Sequence, residues 1–190
     1  MDELINILSN SIKGEKVANF KYKLFSEQAL KENLPVIAYV FKVVAYAETI
    51  HLRIHKDSLE MIGKDSSSIE KQVQINEEEL ENQVNRTKVN LLNSRVNETF
   101  EFLDKYRNFA LIAKKYEEPL IEKNFSNVKR AERSHAELFQ DCLNFLDKEK
   151  EIKFKKLYVC EKCGTIRSEI PSEKCPSCQN PSTSYIEINK

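Results

Sequence analysis

The chain has 190 residues, which is enough for one full domain and a small second one. Lys plus Arg number 30 and Asp plus Glu number 30, so the formal net charge of +0 excludes a strongly basic protein that attracts nucleic acid or anionic lipid over long range. Because 32% of the residues are charged and only 3 are Gly, the composition favours long amphipathic helices over a turn-rich β fold.

The N-terminal segment begins the first predicted helix. Its opening residues, MDELINILSN, are acidic and too short in apolar length for a signal peptide or a membrane span, which predicts a cytoplasmic protein with no membrane partner. Further along the same helix, Glu15 lies seven residues before Tyr22, two helical turns away on the same face.

Two segments of the chain repeat. Residues 22–51 align without gaps with residues 106–135, and eleven of these thirty positions are identical. Agreement of this extent indicates internal duplication. The identical pairs are Tyr22/Tyr106, Phe25/Phe109, Ala29/Ala113, Lys31/Lys115, Pro35/Pro119, Ile37/Ile121, Phe41/Phe125, Val44/Val128, Ala47/Ala131, Glu48/Glu132 and His51/His135.

Each repeat predicts two helices joined at a proline, Pro35 or Pro119, which cannot continue the preceding helix but fits the first turn of the next. A connection this short makes the two helices antiparallel neighbours. Gly63 and the following KDSSS indicate the end of the second helix and the start of a crossover to about residue 86, whose acidic run EEELE (77–81) is expected to face solvent. The expected fold is an all-α four-helix bundle with one long connection.

A glutamate and a histidine lie on the inward face of each second helix. In AETIH they are Glu48 and His51, and in AERSH they are Glu132 and His135. Both pairs continue the apolar stripe of their helix, so the side chains are expected to be buried. A buried glutamate is unfavourable without a charged partner, and a bound metal ion is the usual one.

The first helix of each repeat offers further carboxylates. They are Glu15 in the first repeat, and Glu98 and Glu101 of NETFEFLDKY in the second. Two Glu-x-x-His motifs plus a glutamate from each remaining helix is the ligand set of carboxylate-bridged di-iron sites. Oxygen ligands with a few imidazoles suit iron or manganese. The predicted ligands are Glu15, Glu48, His51, Glu98, Glu101, Glu132 and His135.

Four other side chains near these motifs have less specific interpretations. Tyr22 and Tyr106 fit the role of core aromatics, of hydrogen-bond donors to a ligating carboxylate, or of both. His55 lies one turn beyond His51 but has no partner motif, so it is predicted to be peripheral. Cys142 lies at helical spacing within an apolar stripe and is predicted to be a buried core thiol.

The other four cysteines form two CxxC pairs near the C-terminus, Cys160 with Cys163 and Cys175 with Cys178. Paired CxxC knuckles bind one tetrahedral metal through four thiolates, and iron and zinc both accept this geometry. Too few residues surround them for a hydrophobic core, so the metal is expected to supply much of the folding energy. Residues 147–156 are predicted to be a helix end and linker, which gives predicted domains at 1–150 and 156–190.

The chain resembles the rubrerythrins over nearly its whole length. The resemblance rests on Glu15 with Tyr22, on AETIH, on TKVNLLNSRVNETFE before Tyr106, on AERSH, and on the two CxxC knuckles. It implies a ferritin-like di-iron four-helix bundle followed by a small rubredoxin-like metal-ribbon domain. Iron is then favoured in the four-cysteine site, with zinc as the alternative.

The resemblance also implies a role for each predicted ligand. Glu48 and Glu132 would bridge the two irons, Glu15 and Glu101 would hold one iron, and Glu98 and His135 would hold the other. In rubrerythrins the first iron exchanges a glutamate for a histidine on reduction, and the corresponding residues here are Glu101 and His51.

Three positions depart from the usual rubrerythrin pattern. The loop between the knuckles has eleven residues where twelve are common, Asn97 stands where a glycine often precedes the glutamate, and the cysteine module lacks tryptophan. The shorter loop concerns the orientation of the four-cysteine centre more than the di-iron chemistry.

The activity implied by the resemblance is a non-haem di-iron peroxidase that reduces hydrogen peroxide to water. Its electrons would pass through the rubredoxin-like iron from rubredoxin or an NAD(P)H-dependent reductase. The resemblance further implies a homodimer, in which one chain's cysteine module can serve the other's bundle. Two alternatives stay open: a ferroxidase or iron-handling protein, and a peroxide sensor with a structural zinc ribbon. No basic surface or DNA-reading motif supports nucleic acid as a partner.

Overall fold

Helices make up most of the chain. The computed structural model describes residues 1–147 and 155–189. The helical elements are α1 (Asp2–Lys31), α2 (Pro35–Met61), α3 (Ser66–Gln72), α4 (Glu77–Asn82), α5 (Thr87–Phe100), a π-helical segment (Glu101–Lys105), α6 (Tyr106–Lys115) and α7 (Pro119–Leu146). The strands are β1 (Leu157–Cys160), β2 (Ile166–Arg167) and β3 (Tyr185–Ile188), with a 3₁₀ turn at Ser182–Ser184 before β3.

The predicted proline breaks are confirmed in both repeats. Pro35 and Pro119 each open a helix in its first turn. Asn33 and Glu117 occupy equivalent positions in the two repeats, and both adopt a φ of 58°. This left-handed residue reverses the chain, so each repeat forms an antiparallel helix pair, α1 with α2 and α5–α6 with α7.

Aromatic side chains pack on either side of residues 48 and 132 in the bundle. One cluster joins Tyr22, Phe25, Phe41 and Phe139, with ring centroids 5.3 to 6.3 Å apart. The other joins His55, Tyr106, Phe109 and Phe125. Burying a ring of this size contributes about 1.5–3 kcal/mol. The duplicated sequence therefore builds a matching aromatic layer on each side of the Glu-x-x-His motifs.

α2 forms the centre of this core. Of the helices that the structure describes, it is the one long and apolar enough to cross a membrane by length and composition, but 67% of its most apolar window is buried inside the protein. That degree of burial is typical of a core helix.

The crossover between the repeats follows the predicted course. α2 ends at Met61, and Gly63, two residues later, adopts a φ of +70°. Residues 77, 78, 79 and 81 are exposed, whereas Leu80 is buried against the bundle. The acidic run is thus a solvated face with one apolar anchor, as predicted.

The π-helical segment compensates for an extra residue in the second repeat. Glu15 lies seven residues before Tyr22, whereas Glu98 lies eight residues before Tyr106. The wider turn at Glu101–Lys105 absorbs the additional residue. Because of it, the glutamate and the tyrosine of each first helix face the bundle centre in both repeats.

The C-terminal module is a three-stranded antiparallel sheet of order β2-β1-β3 that carries the four cysteines. It packs on the bundle, where the Leu157 amide donates to the Tyr39 hydroxyl at 2.9 Å and Tyr39 donates to the Ile188 carbonyl at 2.7 Å. The predicted fold class, an all-α bundle with a small four-cysteine domain, is confirmed. Most of the predicted linker, residues 148–154, lies outside the described residues, and the exact domain boundaries stay a prediction.

Candidate metal centre

Six of the seven predicted bundle ligands meet at its centre. Their side chains lie on α1, α2, α5 and α7, and each is at most 2% exposed. Two overlapping groups have ligand atoms within 4.8 Å of one another: Glu15, Glu48, His51 and Glu132 in one, and Glu48, Glu98, Glu132 and His135 in the other. Each group has three carboxylates and one imidazole, and both share Glu48 and Glu132. This arrangement suits two metal ions bridged by the two shared carboxylates.

The two histidines point the same ring nitrogen at these carboxylates. His51 Nδ1 lies 2.9 Å from Glu48 Oε2 and 3.0 Å from Glu132 Oε1. His135 Nδ1 lies 2.9 Å from Glu132 Oε2 and 3.4 Å from Glu98 Oε2. The rings stack with centroids 5.4 Å apart. The centre is therefore nearly symmetric between the two repeats.

The opposite nitrogen of each ring fixes its tautomer. His51 Nε2 lies 3.0 Å from the Cys163 carbonyl oxygen, and His135 Nε2 lies 3.1 Å from the Gly164 carbonyl oxygen. Because a carbonyl only accepts, each Nε2 carries a proton and donates it. In a neutral imidazole this leaves the lone pair on Nδ1, directed at the carboxylates, which is the state of a metal ligand.

These buried polar atoms lack other partners. Within residues 1–147 and 155–189, Glu48 Oε2, His51 Nδ1, Glu98 Oε2, both Glu132 oxygens and His135 Nδ1 make no hydrogen bond of acceptable geometry. Buried lone pairs and negative charges facing one another are strongly unfavourable unless a cation lies between them. Carboxylate oxygens with two imidazole nitrogens fit iron. The residues present therefore fit a pair of iron ions.

Without metal, protons must take that role. Burial alone would lower the pKa of His51 and of His135, but the adjacent carboxylates, chiefly Glu132, outweigh burial and hold both pKa values well above 6.5. Burial would raise the pKa of Glu132, yet His51 and His135 lower it to about 2. Burial, reinforced by Glu48 and Glu132, holds the pKa of Glu98 well above its usual value. The cluster therefore binds excess protons when it holds no metal.

Both repeat tyrosines donate to carboxylates of the cluster. The Tyr22 hydroxyl donates to Glu98 Oε1, and the Tyr106 hydroxyl donates to Glu15 Oε1. Burial first, and then these carboxylates, raise the pKa of both tyrosines well above 10, so the hydroxyls stay protonated. Each bond crosses between the repeats and fixes the orientation of one carboxylate.

Glu101 is the predicted ligand that the structure does not bring into either group. Its Oε1 lies 2.7 Å from Lys105 Nζ. His51 holds the place next to Glu15 instead. The assignment of all seven side chains as ligands stays a prediction.

The prediction for His55 was wrong. The side chain is fully buried, its Nε2 lies 3.3 Å from Glu15 Oε1, and its ring stacks on Tyr106 at 5.5 Å. The duplicated position is Phe139, so the repeat gave no signal for a histidine there. Its spacing of four residues from His51, on the same inward stripe, was the available signal.

The four cysteines of the module also meet. Their sulfurs lie within 4.8 Å of one another, with 3.8 Å between Cys160 and Cys178 and 3.7 Å between Cys163 and Cys175. A tetrahedral ion with metal–sulfur bonds of about 2.3 Å requires sulfurs about 3.8 Å apart. All four are free thiols rather than disulfides. The geometry therefore fits one tetrahedral metal ion.

Cys142 lies away from that site, in the bundle core. It is fully buried, and burial raises the pKa of its thiol to about 12. An uncharged thiol of this kind is a small core side chain, as predicted.

Comparisons with known proteins agree with this arrangement. A sequence model described as Rubrerythrin matches residues 6–143. Rubrerythrin-2 of Clostridium acetobutylicum is 30% identical over 174 residues, which cover 91% of this chain and 90% of that protein. Nigerythrin of Nitratidesulfovibrio vulgaris is 27% identical over 178 residues, covering 94% of this chain and 83% of that protein. A solved structure of nigerythrin in its fully reduced, all-ferrous state is similar with a TM-score of 0.77 at 25% identity, covering 97% of this chain and 86% of that one.

Proposed function

The chain belongs to the rubrerythrin family of di-iron proteins, and on that premise we propose that it is a non-haem peroxidase that reduces hydrogen peroxide to water. The overall reaction would be H₂O₂ + 2 H⁺ + 2 e⁻ → 2 H₂O. The bundle irons, held by the two groups that share Glu48 and Glu132, would supply the two electrons and polarise the peroxide. The iron of the four-cysteine site would restore the electrons from an external donor, either rubredoxin or an NAD(P)H-dependent reductase.

Direct contact between the cysteine module and the histidines carries this proposal. The carbonyls of Cys163 and Gly164 accept hydrogen bonds from His51 and His135, whose opposite nitrogens face the carboxylate cluster. One residue therefore links a cysteine sulfur to an imidazole through its own backbone and a single hydrogen bond. A structural metal ribbon has no need of this contact, whereas the contact would shorten a path for electrons between the two metal sites.

A cavity of about 180 Å³ between α1 and α5 supports access for a small substrate. It is lined in part by Gly14, Tyr22, Asn97, Glu98 and Glu101. Since a water molecule occupies about 30 Å³ in the liquid, this space has room for a molecule of the size of hydrogen peroxide. Hydrogen peroxide that enters there meets Glu98 and the Tyr22 hydroxyl, which holds a proton.

Rapid mixing of the reduced, anaerobic protein with hydrogen peroxide tests the proposal. We expect about three irons per chain, two in the bundle and one in the cysteine module. The visible thiolate-to-iron band, bleached by the reductant, should return as peroxide is consumed. In a Glu98→Ala/Glu132→Ala double variant, the cysteine site should still load iron but the return should be lost.

Two other outcomes would favour the alternative functions. Iron loading without peroxide turnover would favour an iron-handling protein, and zinc in the cysteine module would favour a sensor with a structural ribbon. Full peroxide turnover by the double variant would show that the bundle is not the catalyst.

A further inference from the structure

Lys105 places a positive charge beside the carboxylate cluster. Its side chain is 14% exposed, and its Nζ lies 2.7 Å from Glu101 Oε1. The same ammonium lies 4.6 Å from the centre of the Tyr106 ring, and the Tyr106 hydroxyl donates to Glu15. A poorly solvated ammonium is unfavourable without an anion, so Glu101 is its counterion.

The surrounding chain leaves room for this ion pair. A Cβ atom on Gly14 would lie 3.0 Å from Lys105 Nζ, so the absence of a side chain at residue 14 lets the ammonium lie against α1 next to Glu15. Lys105 and Glu101 are the last and first residues of the π-helical segment. The segment that compensates for the extra residue thus also supplies a carboxylate together with a cation that binds it.

The ion pair competes with the metal centre for Glu101. The group next to α1 consists of Glu15, Glu48, His51 and Glu132, whose ligand atoms lie within 4.8 Å of one another, and Glu101 does not belong to it. A carboxylate held by an ammonium at 2.7 Å loses that partner if it turns to a metal ion. Removing the ammonium would leave the metal as the nearest cation.

We propose that Lys105 is a positioning residue that, when the bundle holds divalent metal, keeps Glu101 out of the ligand group nearest α1, so that the His51 nitrogen completes it. This inference rests on the proposed function, because it requires redox-active iron in the bundle. An additional anionic ligand favours the ferric state, since net charge at an iron centre sets its reduction potential. Lys105 therefore keeps the potential of the bundle site higher than it would otherwise be.

Redox titration of the iron-loaded protein tests this role. In Lys105→Met, which keeps the length of the side chain but not its charge, we expect the midpoint potential of the bundle site to fall. Lys105→Arg keeps the charge and should stay near the parent value. The four-cysteine centre is the internal reference, and its potential should be the same in all three proteins. If Lys105→Met does not fold, Lys105→Gln tests the same loss of charge.

A double-mutant cycle separates this role from a general effect of charge. Loss of any nearby cation lowers the potential through space, whether or not Glu101 moves. In a Glu101→Gln background no carboxylate is available for capture, so Lys105→Met should then lower the potential much less. An equal fall in both backgrounds would overturn the proposal.

Crystal structures of the zinc-loaded proteins give a second measurement that does not depend on activity. We expect a Glu101 oxygen within about 2.2 Å of a bundle metal in Lys105→Met and not in the parent protein. Glu101 bound to metal in the parent, or still unbound in the variant, would overturn the proposal. A parent that turns over peroxide but shows no effect of Lys105 would refute this inference alone, whereas a bundle that binds no iron would refute the proposed function as well.

Discussion

Because of the orientation of His51 and His135, the cluster is stable only with a proton or a metal ion between its side chains. Each ring donates from Nε2 to a backbone carbonyl and presents Nδ1 to carboxylates at about 3 Å. A proton on Nδ1 or a metal ion satisfies this arrangement, but a neutral imidazole does not. Protons and metal ions therefore compete for this site, and either of them stabilises the folded protein there.

The metal-free protein should lose stability as the pH rises. The pKa values of His51 and His135 in the folded state lie above their unfolded value of 6.5, so the native state binds the additional protons. Their contribution is complete below about pH 6.5 and is lost as the pH rises through the folded values, with a slope of up to about 1.4 kcal/mol per pH unit for each histidine.

Urea unfolding of the metal-free protein between pH 6 and pH 9 measures this loss. The iron-loaded protein is the control, because the metal replaces those protons and the dependence should largely disappear. Stability of the metal-free protein that is flat or rising over this range would contradict the prediction.

Gly164 is required by two independent constraints. It adopts a φ of +79°, and a Cβ atom there would overlap the His51 ring. In Gly164→Ala we expect the module to separate from the histidines while its cysteines still bind metal. Return of the thiolate-to-iron band with peroxide should slow by about tenfold or more, the effect of about 1.4 kcal/mol on the barrier.

Gly63→Ala is the matched control for this prediction. Gly63 has a φ of +70°, but a Cβ atom there would contact nothing within 4 Å. The Gly63→Ala substitution therefore introduces a similar backbone strain of about 1–2 kcal/mol without the steric conflict with a neighbouring side chain. Equal slowing in both variants would show that strain, not contact with His51, explains the effect.

Helical spacing was sufficient to predict the inward Glu-x-x-His pairs, and the two CxxC pairs were sufficient to predict the four-cysteine cluster. The partners of Glu101 and His55 were not predictable in the same way. Lys105 follows Glu101 at the four-residue spacing of a helical ion pair, but the same carboxylate also fitted the metal-ligand set, and only the folded structure shows that it faces Lys105. His55 has phenylalanine as its repeat counterpart, so duplication suggested an apolar position.

At the level of elements, the two first helices differ by one residue. The proline breaks, the crossover and the antiparallel helix pairs could be predicted from the repeat and from its proline and glycine residues. The π-helical segment did not, because an extra residue in a helix can be absorbed by a wide turn, a kink or a change of face, and packing decides among them.

Deleting Leu103 should convert the wide turn to a regular helix. Leu103 is 51% exposed, and its removal would restore the spacing of seven residues between Glu98 and the following tyrosine that the first repeat already has. We expect the variant to fold and still to bind two irons in the bundle, with only the Glu101–Lys105 pair disturbed.

Deleting Ala18 is the corresponding change in the first repeat. It would rotate Glu15 by about 100° relative to Tyr22, since no wide turn is available to compensate. This variant should lose bundle iron, and measuring the iron content of both deletion variants tests the two predictions. Loss of iron from the Leu103 deletion as well would show that the segment is needed for the site itself.

For the whole molecule, contact between the bundle and the module is the feature with most consequence for function. The sequence predicted both metal sites but not their contact, because docking depends on surfaces and not on a motif. Arg130 Nε donates to the Ser177 carbonyl at 2.7 Å, and the Ile166 amide donates to Ser134 Oγ at 3.1 Å. The homodimer implied by the resemblance and the cytoplasmic location predicted from the N-terminal segment stay predictions.

The docked module should also act as a cover for the bundle site. His51 and His135 are fully buried, and the segment that covers them is the Cys163–Gly164 carbonyl pair. Since the module has too small a core to fold without its metal, a Cys160→Ser/Cys178→Ser variant should unfold it and expose both histidines. Bundle iron should then pass to an added chelator several-fold faster than in the parent protein.

Cys142→Ala controls for the loss of buried thiols in general. Cys142 lies in the bundle core, so its truncation should lower stability by about 1 kcal/mol without exposing the histidines. Hydrogen exchange in α2 and α7 would report the same difference, with faster exchange around residues 51 and 135 only in the double variant. If iron leaves all three proteins at the same rate, the module does not cover the site, and its contact with the histidines serves electron transfer alone.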